Sequence, residues 1–155
     1  MIRSLILTLI MIFSFQGIVQ AHCQIPCGIY DDPLRVKLIR EHFQTVEKSM
    51  KMIKELSSAD SKDYNQLVRW VNNKDEHADK ISDIVTYYFM AQRIHLPDEK
   101  HPGEAEEYTE MLTALHEILF YSMKMKQTTD LDYIEKARAS LDSFEDIYFH
   151  EELSH

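Results

Sequence analysis

From residue 36 onward, apolar side chains return every three or four positions, and this spacing constrains the fold more than any other feature of the chain. Val36, Ile39, Phe43, Val46, Met50 and Ile53 form one such series, the pattern of a helix with a single buried stripe. Leu67, Val71, Ala78, Ile81, Val85 and Tyr88 form a second. Lys74 falls on that same stripe, which predicts a bend or a wetted stretch near VNNKDEH. Tyr108, Met111 or Leu112, Leu115, Leu119 and Met123 make a third series, and Leu131, Ile134, Ala137, Leu141, Phe144 and Tyr148 a fourth. The breaks carry turn and capping chemistry. SSADSKD offers Ser57, Ser58, Asp60 and Ser61 as caps, TTD opens the last helix, and HLPDEKHPGE holds two of the four prolines and one of the three glycines. No alternating strand pattern competes. The expected architecture is all-α, an up-down antiparallel four-helix bundle over about residues 33–153.

A chain of 155 residues suits one such domain. The net charge of −9 argues against a nucleic-acid surface, which needs a basic excess to neutralise phosphates. There is no GxxxxGK[ST] phosphate loop, no HExxH zinc helix and no GxSxG elbow. The only Glu-x-x-His spacing is Glu152 to His155, at the end of the sequence, where it cannot line a bundle core as di-iron ligands do. His42, His77 and His116 fall within helices, and His95 and His101 flank the loop; single histidines at such places read as surface or partly buried side chains. The methionines of KSMKMIKE and YSMKMKQ stand among lysines that repel a cation, so they read as core filling.

The first 21 residues have another character. Arg3 precedes the apolar run LILTLIMIF from Leu5 to Phe13, and Val19 and Ala21 supply small residues at the cleavage positions of a secretory signal peptide. The run is short for a membrane span. The expectation is a cleaved leader over residues 1–21 and a mature domain over 22–155, periplasmic or secreted and free of the membrane once trimmed. Loss of Arg3 makes the mature chain one unit more negative.

Cleavage after Ala21 exposes His22 as the first residue of HCQIPCGIY, which holds both cysteines, Cys23 and Cys27. The cut creates an amine beside an imidazole and one residue from a thiol. Pro26 restricts the backbone before Cys27, and Gly28 permits a tight turn after it. A short loop thereby wraps one ion in nitrogen and sulfur donors, a set that suits nickel(II) or copper(II) in a square plane more than tetrahedral zinc. Two other readings stay open for these residues: a Cys23–Cys27 disulfide in an exported helical protein, and a non-catalytic nickel- or copper-binding hook.

His22, Cys23, Pro26, Cys27, Gly28 and Tyr30 match each defined position of His-Cys-x-x-Pro-Cys-Gly-x-Tyr, and the stretch resembles the nickel hook of nickel-containing superoxide dismutase. The resemblance implies an N-terminal metal-binding hook over 22–30 ahead of the bundle and one nickel ion per subunit. It implies an oxidoreductase that disproportionates superoxide to dioxygen and hydrogen peroxide while nickel cycles between divalent and trivalent states. The implied ligands are the amine and ring of His22, the amide and sulfur of Cys23 and the sulfur of Cys27. Tyr30 is implied to lie over the open face, limiting which anions approach. A homohexamer is also implied, as is, for some relatives, a leader removed inside the cell by a dedicated protease. Gln24 departs from the aspartate common after the first cysteine. Glu41 and His77 are the candidates for charged or basic support of the hook, and Arg35, Lys37 and Arg40 for a basic patch that steers superoxide.

Overall fold

The structure is a computed structural model that describes residues 26–97 and 102–152. His22 and Cys23 and the expected leader lie outside the described residues. Four long helices carry the chain, and no strand occurs among the described residues. Helix α1 spans Asp32–Ser58, α2 spans Tyr64–Asp83 and runs on as a π-helical stretch over Ile84–Arg93, α3 spans Pro102–Gln127 and α4 spans Asp132–Glu152.

The start of α1 has a local cause. Asp31 is the N-cap, its carboxylate accepting the Leu34 amide at 3.0 Å, and Pro33 stands in the first turn, where a missing N–H costs nothing. Asp63 caps α2 in the same way through the Gln66 amide. Cross-helix pairs then fix the directions. Arg40 meets Asp142 and Glu145 while Glu47 meets Arg138, so α1 and α4 run antiparallel. His42 meets His77 and Ser49 meets Asn73, so α1 and α2 do too. Helix α1 packs on α2, α2 on α3, α3 on α4 and α4 on α1, closing a four-helix bundle.

The core follows the apolar stripes of α1 and α4 closely. Val36, Ile39, Phe43, Val46 and Met50 face Ile134, Ala137, Leu141, Phe144 and Tyr148, all buried. On α3 the buried series is Met111, Ala114, Leu115, Ile118 and Met125, whereas Leu119 is half-buried and Met123 exposed. The expected steps of four from Leu115 overshoot an α-helical turn by about 40° each, so two of them leave the buried face. On α2, Val71 is exposed and Leu67 half-buried, and the core begins only at Lys74.

Lys74 neither bends nor wets its helix. It is 3% exposed inside an unbroken α2, and its ammonium donates to the carbonyls of Met125 at 2.8 Å and Lys126 at 2.6 Å and to Asp75 at 2.7 Å. Those carbonyls belong to the last turn of α3, which lacks intrahelical donors and carries the negative end of the helix dipole. A cation on the stripe is thus a cap for the neighbouring helix.

Candidate metal centre

Only the second half of the hook is described, and it is a turn. The Ile29 amide donates to the Pro26 carbonyl at 2.9 Å, with Cys27 and Gly28 at the two central positions. Gly28 has φ +81°, the left-handed value that a type II turn requires at its third residue. Nothing lies within 4 Å of where a Cβ would stand on Gly28, so the glycine is needed for its backbone conformation and not for close packing. The turn leaves the Cys27 thiol exposed, with no disulfide partner among the described residues.

Directly after this turn the chain is fastened to the bundle by a buried carboxylate. Asp32, the first residue of α1, is 5% exposed. Its Oδ1 accepts from Tyr88 Oη at 2.5 Å and its Oδ2 from Tyr148 Oη at 2.8 Å, while Arg93 reaches both oxygens through Nε and Oδ2 again through Nη2 at 2.7 Å. Burial alone raises the Asp32 carboxyl, but hydrogen bonds from Arg93, Tyr88 and Tyr148 outweigh it and hold the group below its ordinary value. The same burial, with the bond to Asp32, pushes Tyr88 up to about 12. Arg93 is held fully protonated by Asp32. The helix N-terminus adds a further term that favours the anion.

The π-helical stretch makes this convergence possible. Tyr88 and Arg93 are five residues apart, which at α-helical pitch places side chains about 140° from each other around the axis. The i to i+5 bonding of a π turn, seen in the Ile94 amide donating to the Phe89 carbonyl at 3.0 Å, brings them to one side. Both then reach Asp32.

Tyr30 rests on this cluster. Its ring meets Tyr88 edge-on at 5.9 Å, and the Arg93 guanidinium lies 4.6 Å from its centroid. The phenol of Tyr88 accepts the Asp31 amide at 2.9 Å, and Arg35 stacks on the Tyr88 ring at 4.9 Å. A column of Tyr30, Tyr88, Arg93 and Asp32 therefore joins the hook turn to α1, α2 and α4. Tyr30 itself is 39% exposed.

The family model for nickel-containing superoxide dismutase matches residues 17–152. The chain belongs to that family. Neither a curated protein nor a solved structure matches it. As a nickel-containing superoxide dismutase it is an oxidoreductase that disproportionates superoxide, with nickel as its cofactor.

Of the expected site residues, the structure places Cys27 in the turn before α1 and Tyr30 just after that turn, while His22 and Cys23 lie outside the described residues. The candidates for steering separate. Arg40 is drawn into ion pairs with Asp142 and Glu145, and Lys37 is exposed. Arg35 stays beside Tyr88, with its Nε buried and without a partner among the described residues. His77 faces His42, and Glu41 is exposed. Asp32, Tyr88, Arg93 and Tyr148 went unread in the sequence as a group. The Asp-Asp-Pro of residues 31–33 signals a helix start, and one carboxylate is enough for a cap. The second was the available clue.

Proposed function

We propose that the dismutase holds its nickel at the mature N-terminus, on the amine and ring of His22, the amide nitrogen and sulfur of Cys23 and the sulfur of Cys27. The observation that carries this reading is the Cys27 thiol, exposed on a turn that is braced at Asp31 and Asp32 by Tyr88. An accessible thiolate is a soft anionic donor of the kind nickel takes, and the family match makes nickel the cofactor. Bound there, nickel supplies the one-electron couple by which one superoxide is oxidised to dioxygen and a second, with two protons, is reduced to hydrogen peroxide. The chain's own contribution is fourfold. Thiolate and amide donors stabilise the higher charge. Gly28 lets Cys27 turn back toward the start of the chain. Tyr30, pinned between Tyr88 and Arg93, stands at the mouth and limits what approaches. Arg35 supplies local positive charge that offsets the net −9 of the chain near the point where an anion must arrive.

The same reading makes residues 1–21 a leader and 22–155 the mature domain, with the amine of His22 freed by cleavage after Ala21. The charged start and short apolar run of that leader support export to the periplasm or beyond; the second route is removal by a dedicated protease in the cytoplasm. No helix among the described residues is long and apolar enough to cross a membrane. Assembly as a homohexamer is supported by apolar side chains left on the surface, notably Tyr64, Val68 and Val71 along one side of α2 and Phe120 and Met123 on α3. The decisive substitution is Cys27→Ser. It is expected to abolish both nickel binding and superoxide consumption while the helical spectrum stays unchanged, and a variant with full activity would overturn the ligand assignment.

A further inference from the structure

Away from the hook, two histidines face each other across the α1–α2 interface. His42 Nδ1 and His77 Nδ1 are 3.0 Å apart, with ring centroids at 4.9 Å and planes inclined by 72°. Both side chains are half-buried. Only one hydrogen fits between two nitrogens at that distance, so one ring donates and the other presents a lone pair. Burial lowers both rings below their ordinary value. The charge of Lys80 adds to this for both and that of His77 for His42, with Glu41 opposing at His42 and Glu76 at His77. At neutral pH the pair is therefore two uncharged imidazoles with their Nδ1 atoms turned toward each other.

We propose that His42 and His77 form a second metal site, an interhelical clamp for a divalent ion of the zinc–copper class, with water completing the coordination. The distance fits. Two imidazole nitrogens about 2.0–2.1 Å from one ion stand roughly 3.0–3.4 Å apart for angles between a right angle and the tetrahedral value. The chemistry balances without a net proton. The hydrogen shared between the Nδ1 atoms moves to the Nε2 of its own ring, both imidazoles stay neutral, and each Nδ1 offers a lone pair. Neutral imidazole suits zinc, copper and nickel. The surrounding charge gives no help, because Lys80 outweighs Glu41 at His42 and Glu76 at His77, so binding rests on the two neutral nitrogen donors. Among the described residues no group of three or more His, Cys, Asp or Glu is arranged for a metal, so the clamp has two protein ligands and exchanges its ion more freely than the hook.

The test uses the nickel-loaded enzyme. After dialysis against zinc, elemental analysis is expected to find one zinc per chain in addition to nickel, and the unfolding temperature is expected to rise with zinc concentration. In His77→Gln and in His42→Gln, zinc affinity is expected to fall by roughly tenfold or more, with nickel content and superoxide consumption unchanged. Ring-nitrogen NMR of the unmutated protein gives a readout that needs no variant: two Nδ1 signals are expected to shift on zinc addition. No zinc uptake, unmoved Nδ1 signals, or equal uptake by both variants through the exposed His95, His116 or His150 would overturn the proposal.

Discussion

The two ends of the bundle each bury one charge, and they satisfy it differently. At the end that receives the hook, Asp32 sits at the positive N-terminus of α1 and is held by three side chains from two other helices, Tyr88, Arg93 and Tyr148. At the opposite end Lys74 sits at the negative C-terminus of α3 and is held chiefly by main-chain carbonyls. Both placements obey the same electrostatics of helix termini. The difference lies in what else is attached. Any four-helix protein with a long α3 can use a lysine to cover its last carbonyls. Three converging side chains on one carboxylate, reached only through a π-helical stretch that is rare in proteins, are far more than an N-terminus needs. Their product is a rigid base under Tyr30 and the turn that carries Cys27. One buried charge stabilises; the other also positions.

That contrast can be broken by substitution, and the effects are graded. The largest belongs to Asp32→Ala, which removes the buried carboxylate shared by Arg93, Tyr88 and Tyr148 and is expected to cost about 3–5 kcal/mol of stability. It is also expected to reduce superoxide consumption per folded, nickel-loaded chain, because Tyr30 loses its support. Denaturant melts and rates per folded, nickel-loaded chain separate the two effects. Lys74→Met comes next. It removes a buried ammonium and leaves two carbonyls under-satisfied, an expected loss of about 1–3 kcal/mol, with the rate per folded chain unchanged. If Lys74→Met lowers that rate as much as Asp32→Ala does, the distinction between the ends fails.

Tyr88→Phe is a smaller and more selective change, worth about 1 kcal/mol through its hydrogen bonds. Its sharper readout is pH. A phenol held at about 12 in the folded protein and 10 when unfolded makes the unfolded state the weaker proton holder in that window. Stability is therefore full below pH 10 and falls as pH rises toward 12. Tyr88→Phe is expected to flatten this alkaline limb. Asp32 has the opposite sign: its depressed carboxyl contributes stability that is present above the ordinary value of 3.8 and lost as pH falls through the folded value. The smallest effect is expected on the exposed side of α2, where Val68→Ser changes subunit stability by less than about 0.5 kcal/mol and is read instead as a smaller assembly by light scattering.

The regular parts of this molecule were legible as spacing. The stripes on α1 and α4 predict their buried residues almost one for one, because three-and-four stepping tracks the helix without drift. The stripe on α3 drifts after Leu115, where only steps of four follow, and that on α2 begins with Leu67 and Val71, residues of the right type and interval that are half-buried and exposed. Local apolar periodicity carries no information about where partner helices end. The proposed hook is of the opposite kind: His22, Cys23 and Cys27 lie within six contiguous residues, so the sequence can suggest them with no knowledge of tertiary contacts. The Asp32 cluster was not. Its members come from positions 32, 88, 93 and 148, and the two on α2 share a side only if that helix widens after Asp83, which the α-helical period cannot announce. Lys74 shows in the sequence only as a break in an apolar stripe, since the carbonyls that accept it belong to a helix fifty residues away.

The central claim is that one nickel ion rests on an amine that exists only after the leader is cut. Intact mass spectrometry of the active protein, joined to metal counting on the same sample, tests it most directly. The account predicts a chain whose first residue is His22 carrying about one nickel. Full activity in a chain that still bears residues 1–21, or in one that carries no nickel, would contradict it.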